Sequence, residues 1–500
     1  MQGENDMRLL IKNATILTLN DKGDILKKGD MLVDNGVISE IAEKIEAPAE
    51  TVIDCTGKLV MPGLVNAHLH SDENMFKGLF DNLPLELWML YSCPPLEYGP
   101  FSERLIYLRT AIGAIEMIRQ GITAVQDDVS ECPKGTFEGY DQVYQAYHDS
   151  GLKANVAMNM GNREYCDKLP FARDIFPPVL QRKLAGKPDP DEMLELYKAI
   201  IQKWNGKNGI KVVLSSSAPQ RCTDEYLLRL LMLGEKMDLP MHTHILETRM
   251  QRVTGTEFYG KSIVKHIDEI GFLTDRLTVI HGVWMDAEDF ELLAKRGATL
   301  VHNPVSNLKL GSGVMPLIRA VECGVNVALG TDGMSSNDGQ SIFEAMKFAA
   351  LLQKVSDTDY HKWLDSREIL KMATKNAAYS MRRTSEIGCL EAGKDADFLI
   401  INLKGMAFTP CNNFYNQLVY CENGNSVETS FVRGEKIYDN GRVLGYNEED
   451  IIREFQNLHG EFKEIFAKTV KENDALMPYV DQIYKKSVEM LNCNGHNLFS

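Results

Sequence analysis

Between residues 61 and 385, the chain alternates short apolar runs with helical stretches, and it does so eight times. The runs end in polar residues and lack a polar face, which is typical of parallel strands covered by helices on both sides. They are LVNAHLH, ITAVQDD, LKANVAMN, IKVVLSSSAP, LPMHTHILE, LTVIHGV, ATLVHNP and VNVALGTD. Helical stretches such as ERLIYLRTAIGAIEMIRQ, DEYLLRLLMLGEKM and DAEDFELLAKR lie between them. Eight β-then-α units predict a (β/α)8 barrel of the TIM type over 61–385.

The two ends of the chain have a different texture. Residues 1–60 contain three apolar runs separated by turn residues, and Asn35-Gly36 is a hairpin signal. The same texture returns at 395–403 and 426–444. We predict that 1–60 and 386–445 form the two halves of one small β-sandwich outside the barrel. Residues 446–500 are charged and periodic, which predicts a helical extension.

Composition excludes several classes of partner. The formal net charge is −16, and an acidic chain repels phosphate backbones, so we expect no nucleic-acid partner. The N-terminus lacks a basic region followed by an apolar core, and no apolar stretch approaches the ~20 residues of a membrane span. The ten cysteines are scattered without a CxxC pair, which is typical of reduced thiols. We therefore predict a cytoplasmic protein that does not bind membranes.

Polar residues that can bind metal stand at the carboxyl ends of the predicted strands. In a barrel these ends converge on one mouth, where the active site of such folds lies. Six of the eleven histidines are found there. The set comprises His68 and His70 on the first strand, His242, His244 and Glu247 on the fifth, His281 on the sixth, His302 and Asn303 on the seventh, and Asp332 on the eighth.

Two of these histidines are placed to share one ion. Residues i and i+2 of a strand point to the same side, so His68 and His70 can both face inward. Three imidazoles and a carboxylate with one open position suit a catalytic transition metal, with zinc the default. The sequence therefore predicts a metal centre at the barrel mouth.

Several longer motifs resemble a known family. The run MPGLVNAHLH looks like the opening signature of the amidohydrolase superfamily. HNPVSNLKLGSGVMP followed by LGTDGMSSND resembles its branch of S-adenosylhomocysteine/methylthioadenosine deaminases and triazine hydrolases. EIGCLEAGKDADFLIINL and VETSFVRGEKIYDNG are similar to the C-terminal β segment of that branch. The resemblance covers about residues 8 to 445 and implies a metal-dependent barrel that hydrolyses carbon–nitrogen bonds.

The resemblance also implies roles for individual residues. The metal ligands would be His68, His70, His244 and Asp332, with His242 a neighbour and not a ligand. Glu247 would shuttle a proton, while His281 and Asp332 would take the proton of the attacking water. No lysine follows the fourth strand to bridge a second ion, so we expect one divalent ion per chain, Zn²⁺ with Fe²⁺ as the alternative.

Candidate substrate residues come from the same resemblance and from positions beside the predicted site. The predicted set is Glu86, Trp88, Ser217, Gln220, Arg221, Asn303 and Ser336. Glu86 and Trp88 match a Glu-x-Trp that grips ribose hydroxyls in nucleoside-type members. Ser217 stands where those members have a histidine. On that ground we expect adenosine-type nucleosides to be slow substrates and another amino-azine to be preferred.

The predicted function is thus hydrolytic deamination of an amino-substituted heterocycle of purine, pterin, pyrimidine or triazine type. Two alternatives stay open: a triazine-type chloro- or alkylamino-hydrolase or cyclic amide hydrolase on the same site, and an inactive scaffold. Family members often form homodimers. The tail residues Phe455, Phe462 and Phe466 are candidates for such an interface.

Overall fold

The computed structural model describes residues 8–96, 99–131 and 135–493. Five strands precede the barrel: β1 (Arg8–Leu17), β2 (Ile25–Asp34), β3 (Val37–Ala42), β4 (Thr51–Asp54) and β5 (Lys58–Pro62). Eight strands follow: β6 (Leu64–Leu69), β7 (Ile122–Val129), β8 (Lys153–Met158), β9 (Ile210–Ser215), β10 (Met241–Ile245), β11 (Leu277–His281), β12 (Thr299–His302) and β13 (Asn326–Leu329). Four more come last: β14 (Phe398–Asn402), β15 (Val427–Val432), β16 (Glu435–Asp439) and β17 (Arg442–Val443).

Strands β6 to β13 form the predicted barrel. Each strand pairs in parallel with the next in sequence, so the order in the sheet runs from β6 to β13 without a crossover. Every residue of β7 and β8 is buried, because the barrel interior covers one face and the outer helices cover the other. All eight predicted strands and the (β/α)8 fold class are confirmed.

The helices alternate with these strands as expected. The described helices are α1 (Leu85–Ser92), α2 (Glu103–Arg119), α3 (Phe137–Ser150), α4 (Ala172–Ile175), α5 (Pro178–Lys183), α6 (Pro190–Trp204), α7 (Asp224–Met237), α8 (Arg249–Tyr259), α9 (Ile263–Glu269), α10 (Ala287–Arg296), α11 (Pro304–Lys309), α12 (Leu317–Glu322), α13 (Ile342–Ser356), α14 (Ser366–Met372), α15 (Lys375–Ser380), α16 (Phe414–Tyr420), α17 (Glu448–Asn473) and α18 (Met477–Cys493). Helix α7 begins where the side chain of Thr223 accepts a hydrogen bond from Tyr226 N, and α10 begins at a capping box between Asp286 and Asp289.

The first and last barrel strands, β6 and β13, meet at a seam. Asp332 N donates to His68 O over 3.0 Å. Deeper in the seam, Asn66 Nδ2 donates to Thr331 Oγ1 over 2.7 Å. The seam therefore brings the polar ends of both strands together.

The strands from the two ends of the chain form one further sheet. Its order is β17-β16-β15-β14-β5-β1-β2-β3, with β4 also paired to β1. The two halves are joined by the antiparallel pair β14 and β5. Phe398 on β14 and Phe431 on β15 stack with ring centroids 4.3 Å apart in a core shared with β1 and β2. The composite β unit is confirmed as one hydrogen-bonded sheet, and the domain boundaries at 60/61, 385/386 and 445/446 stay predictions.

The predicted C-terminal extension is a pair of helices, α17 and α18, of which residues up to 493 are described. Phe462 is buried, and Phe462 and Phe466 pack against Phe76 of this same chain with ring centroids 5.2 and 5.8 Å away. These two rings thus cover their own barrel, and a homodimer interface at the tail stays a prediction. Among the described residues, no helix combines the length and apolar character that crossing a bilayer requires.

Candidate metal centre and substrate cavity

The four predicted ligands converge at the barrel mouth. His68 Nε2 and His70 Nε2 lie 3.2 and 3.5 Å from Asp332 Oδ1. His70 Nε2 and His244 Nε2 lie 3.2 Å apart. The ligand atoms of His68, His70 and His244 are all within 4.8 Å of one another, and the same holds for those of His68, His281 and Asp332. Such a cluster has the size of a metal coordination sphere.

The backbone sets the tautomers of two of these histidines. His70 Nδ1 lies 2.5 Å from Asp128 O, and His244 Nδ1 lies 2.8 Å from Ser217 O. A carbonyl oxygen only accepts, so each Nδ1 carries its hydrogen and each neutral ring presents an Nε2 lone pair. Two such lone pairs facing each other at 3.2 Å repel unless a proton or a metal ion lies between them. The geometry therefore fits a bound cation.

The surrounding charges favour a cation as well. His70 is buried, which by itself lowers the pKa of an imidazole. Nearby carboxylates outweigh that effect and raise the pKa of His70 to about 10. These carboxylates belong to Glu73, Asp332, Asp128 and Asp72. The pocket thus places four carboxyl groups close to the converging nitrogens, where they can balance the charge of a cation.

Glu247 and His281 stand next to this cluster. His281 Nε2 lies 3.5 Å from Glu247 Oε2 and 3.9 Å from Asp332 Oδ2. Burial raises the pKa of Glu247 well above its ordinary value, and the charges of Asp332 and Glu86 add to the effect. Glu247 Oε1 is buried without a hydrogen-bond partner among the residues that the structure describes.

The strand ends adopt an uncommon backbone conformation at the site. Ser217, His281 and Asp332 have φ angles of 53°, 77° and 65°, in the left-handed region that non-glycine residues rarely occupy. Such strain persists where the surrounding structure imposes it, and it is concentrated at functional sites. At these three residues the backbone turns sharply at the mouth of the barrel, so that the side chains of neighbouring strand ends point at one another.

His242 lies behind the cluster. Its Nε2 is 2.9 Å from His68 Nδ1, on the side of that ring away from Asp332, and its Nδ1 is 2.8 Å from Gln126 Nε2. Among the described residues, the groups of side chains that could hold a metal ion do not include it. That His242 is a neighbour of the ligands, and not a ligand itself, stays a prediction.

A cavity of about 430 Å³ is lined in part by Ser217, whose backbone oxygen lies 2.8 Å from His244 Nδ1. Four of the predicted substrate residues line it, namely Glu86, Ser217, Gln220 and Arg221. Arg221 Nη1 donates to Ser217 Oγ over 3.1 Å, and Nη2 lies 3.0 Å from Met89 Sδ. Glu86 Oε1 accepts a hydrogen bond from Thr248 Oγ1 at 2.5 Å, while Oε2 has no partner in the described part of the chain.

Three predicted substrate residues have other surroundings. Trp88 is buried against Leu85 and Leu310, and its Nε1 lacks a partner in the described chain. Asn303 Nδ2 lies 3.4 Å from His281 Nδ1, and Ser336 Oγ donates to Gly333 O. None of the three is among the residues that line the 430 Å³ cavity within the described ranges. Their contact with substrate stays a prediction.

This arrangement of centre and fold agrees with a comparison of the sequence against protein-family models. The model described as "Amidohydrolase family" matches residues 59–437. The chain belongs to the amidohydrolase family. The match begins just before β6 and ends in β16, so it includes all eight barrel strands and every residue of the predicted metal centre.

Relatives of this amidohydrolase are named deaminases. It is 35% identical over 451 residues to 5'-deoxyadenosine deaminase of Methanosarcina mazei, covering 90% of this chain and 96% of that one. It is 35% identical to 5-methylthioadenosine/S-adenosylhomocysteine deaminase of Thermococcus kodakarensis, covering 86% of this chain and 93% of that one. An adenosine deaminase from Xanthomonas campestris, solved with bound Zn, superposes with a TM-score of 0.81 at 25% identity, covering 92% and 99% of the two chains.

Several residues that contact the proposed ligands or substrate residues were not predicted from the sequence. Asn307 Oδ1 lies 2.9 Å from His281 Nδ1, and Ser306 Oγ donates to Asp332 Oδ2 over 2.6 Å. Asp128 orients His70, and Thr248 holds Glu86. The Asp128 contact is made by its backbone carbonyl, which a side-chain signal at the strand end does not reveal. Thr248 carried no such signal.

Proposed function

We propose that the protein is a metal-dependent hydrolytic deaminase, which replaces the amino group of a nitrogen heterocycle by oxygen and releases ammonia. The observation that carries this proposal is the position of Glu247. Its carboxylate is buried beside the convergent ligand atoms, 3.5 Å from His281, with Oε1 unpartnered among the described residues. Loss of an amine requires a proton donor, and a buried carboxylate with a free oxygen can fill that role.

We further propose that His68, His70, His244 and Asp332 hold one divalent ion. The facing Nε2 lone pairs of His70 and His244 and the nearby carboxyl groups support this. Three imidazole nitrogens and one carboxylate oxygen form a ligand set that suits zinc and leaves a position open. The bound Zn of the Xanthomonas campestris neighbour supports Zn²⁺ over Fe²⁺.

The side chains of the site divide the proton transfers between them. When bound, such an ion lowers the pKa of a water in its open position towards ~7, which supplies a nucleophile at neutral pH. His281 donates from Nδ1 to Asn307, so its Nε2 is an acceptor that orients the water. Asp332 lies within reach to share the water proton. Glu247 carries a proton to the ring nitrogen and then to the leaving amine.

The reaction is balanced by these steps alone. The water oxygen adds to the ring carbon that carries the amino group, while the adjacent ring nitrogen receives a proton. The carbon–nitrogen bond to the amine then breaks, and the amine leaves as ammonia. One water is consumed, and one ring carbonyl and one ammonia are formed.

We propose an adenosine derivative altered at its 5′ position as the substrate. The names of the Methanosarcina mazei and Thermococcus kodakarensis relatives support this. Glu86 supports it too, because a buried carboxylate oxygen without a partner can accept from a sugar hydroxyl. The cavity volume of about 430 Å³ is in the range of pockets for ligands larger than a bare base.

Ser217, which stands where nucleoside-type members have a histidine, predicts the opposite when taken alone, namely that adenosine-type nucleosides are slow substrates. Arg221 weakens that expectation, since its guanidinium donates to Ser217 Oγ and therefore stands beside the position of the absent histidine. Arginine has five N–H donors, of which this bond uses one. We propose that Arg221 supplies the hydrogen bonds that the missing side chain would make to a nucleoside.

A panel of substrates distinguishes the proposed nucleoside substrate from the expectation based on Ser217. We expect kcat/KM for 5′-deoxyadenosine or methylthioadenosine to exceed that for adenine, pterins and amino-triazines at least ~100-fold, because a ligand without hydroxyls leaves the Glu86 charge unpaired. Ammonia release is the measurement. The Glu86→Gln variant should show a smaller difference in kcat/KM between the nucleosides and the compounds that lack hydroxyls. Values below ~10⁴ M⁻¹s⁻¹ for every nucleoside would support the Ser217 expectation instead. Release of chloride or alkylamine from a triazine would favour a triazine-type hydrolase.

Arg221 gives a second prediction. Arg221→Met should lower kcat/KM for the preferred nucleoside by about 10- to 100-fold, because hydrogen bonds to a charged group contribute ~1.5–3 kcal/mol. Arg229, which pairs with Asp191 on the surface, offers a matched control as Arg229→Met. Steady-state kinetics on both variants provide the measurement. An unchanged kcat/KM in Arg221→Met would remove Arg221 from the substrate site.

A further inference from the structure

We propose that the C-terminal helices α17 and α18 are a positioning element of the substrate site: they hold α1, and with it Glu86, in place for substrate binding. This inference rests on the proposed function. The match to the family model ends at residue 437, before this segment begins. The two helices contact three of the segments that form the mouth of the barrel.

Helix α17 packs on the segment that follows the first barrel strand. Phe466 lies against Phe76 and Phe80, with ring centroids 5.8 and 6.0 Å away. Phe80 in turn meets Trp88 edge to face at 6.4 Å. A row of aromatic rings therefore leads from the tail to α1. Such contacts are worth more than their buried area alone, since edge-to-face pairs are favoured electrostatically.

The junction between the two helices is tied to the end of α1. Tyr91 OH donates to Asp474 Oδ1 over 2.8 Å. Asn473, which is fully buried, donates from Nδ2 to Leu96 O over 2.8 Å. These two hydrogen bonds fix the C-terminal end of α1 and the chain that leaves it.

Helix α18 completes an apolar cluster with the walls of the cavity. Leu476, Val480 and Ile483 are fully buried, and they pack in one cluster with Leu90 of α1 and Met250 of α8. Met250 itself lines the cavity. The pKa of Tyr484 on α18 is raised by burial and by the charge of Glu86, which agrees with a short distance between this helix and that carboxylate.

The third wall is held from the same side. Lys183 Nζ pairs with Glu472 Oε2 at 2.8 Å, and Phe176 packs on Tyr479 with ring centroids 5.2 Å apart. Lys183 and its neighbour Leu184 line the cavity. The tail thus contacts walls formed by three separate barrel loops, which are distant from one another in sequence.

Helix α1 depends on such support because it is short. It has eight residues and no side-chain cap at its N-terminus. An isolated helix of that length is unstable in water, so its position is set by packing. By contrast, the residues proposed for chemistry stand at the ends of barrel strands and on the turns that follow them. Weakening the tail should therefore raise KM and leave kcat nearly unchanged.

The test uses point variants of the full chain. Asn473→Ala combined with Asp474→Ala removes both ties to the α1 end. We expect KM for 5′-deoxyadenosine to rise about tenfold, with kcat within about threefold of the wild type and the metal content unchanged. Asp474→Asn is the matched control, because its amide oxygen can still accept from Tyr91 and KM should stay within about twofold.

A second measurement does not depend on turnover. Amide hydrogen exchange of residues 85–92 should accelerate in the double variant and not in Asp474→Asn. An unchanged KM together with unchanged exchange would overturn the proposal, and so would a fall in kcat at constant KM. A wild-type protein that deaminates no nucleoside contradicts the proposed function, whereas the exchange result still decides whether the tail positions α1.

Discussion

Glu247→Gln is expected to lower kcat by ~10²–10⁴-fold while the protein keeps its metal ion. Glutamine has the size of glutamate but cannot carry a proton between water, ring nitrogen and amine. Glu247 is not among the proposed ligands, and its Oε2 lies 3.5 Å from His281 Nε2. The metal content should therefore equal that of the wild type.

Single-turnover or steady-state kinetics and elemental analysis measure the two parts of this prediction. Glu235→Gln is a suitable control, because Glu235 is exposed on α7. His281→Asn should reduce kcat in the same way, since the acceptor that orients the water is lost. A Glu247→Gln enzyme within a few-fold of the wild type would exclude proton transfer by this residue.

The second large effect concerns the metal ligands. We expect one divalent ion per chain, and we expect His70→Ala or Asp332→Asn to lose both the ion and turnover. Removal of either residue should lower the affinity for the ion, because His70 and Asp332 each lie within 3.5 Å of another proposed ligand. A chelator should likewise abolish turnover, and added Zn²⁺ should restore it.

Elemental analysis of the purified chain is the measurement. His266→Asn is a control variant, because His266 stacks on Tyr259 in the outer helices with ring centroids 3.8 Å apart. Two ions per chain would contradict the assignment, as would an experimental structure in which His242 binds the ion. A metal-free chain that still turns over would exclude the mechanism altogether.

The barrel could be predicted from sequence because its signals are local. Buried parallel strands are short apolar runs, and each such run here ends in a polar residue that the fold brings to one mouth. The helix over 224–237 was predicted to the residue, since Thr223 caps its start. His68, His70, His242 and His244 were predicted at the mouth from their places at strand ends, whereas the choice of His244 as ligand came from the family resemblance.

Other parts of the site depend on contacts that no local pattern indicates. Thr248 holds Glu86 across a separation of 162 residues. The side chain of Arg221 turns back on Ser217, which altered the inference drawn from Ser217 alone. The positive φ of His281 and Asp332 is uncommon for any non-glycine residue, and no local sequence pattern indicates it. The docking of α17 and α18 onto the barrel was likewise outside the reach of sequence periodicity.

The seam between β6 and β13 has a consequence for the stability of the barrel. Asn66 and Thr331 are hydrogen-bonded across it although they lie 265 residues apart. His68 and Asp332 flank the same seam, so an ion bound to both would link the first barrel strand to the turn that follows the last barrel strand. Its binding free energy would offset the entropy of closing so long a loop. Such an ion would therefore stabilise the closed barrel as well as complete the catalytic centre.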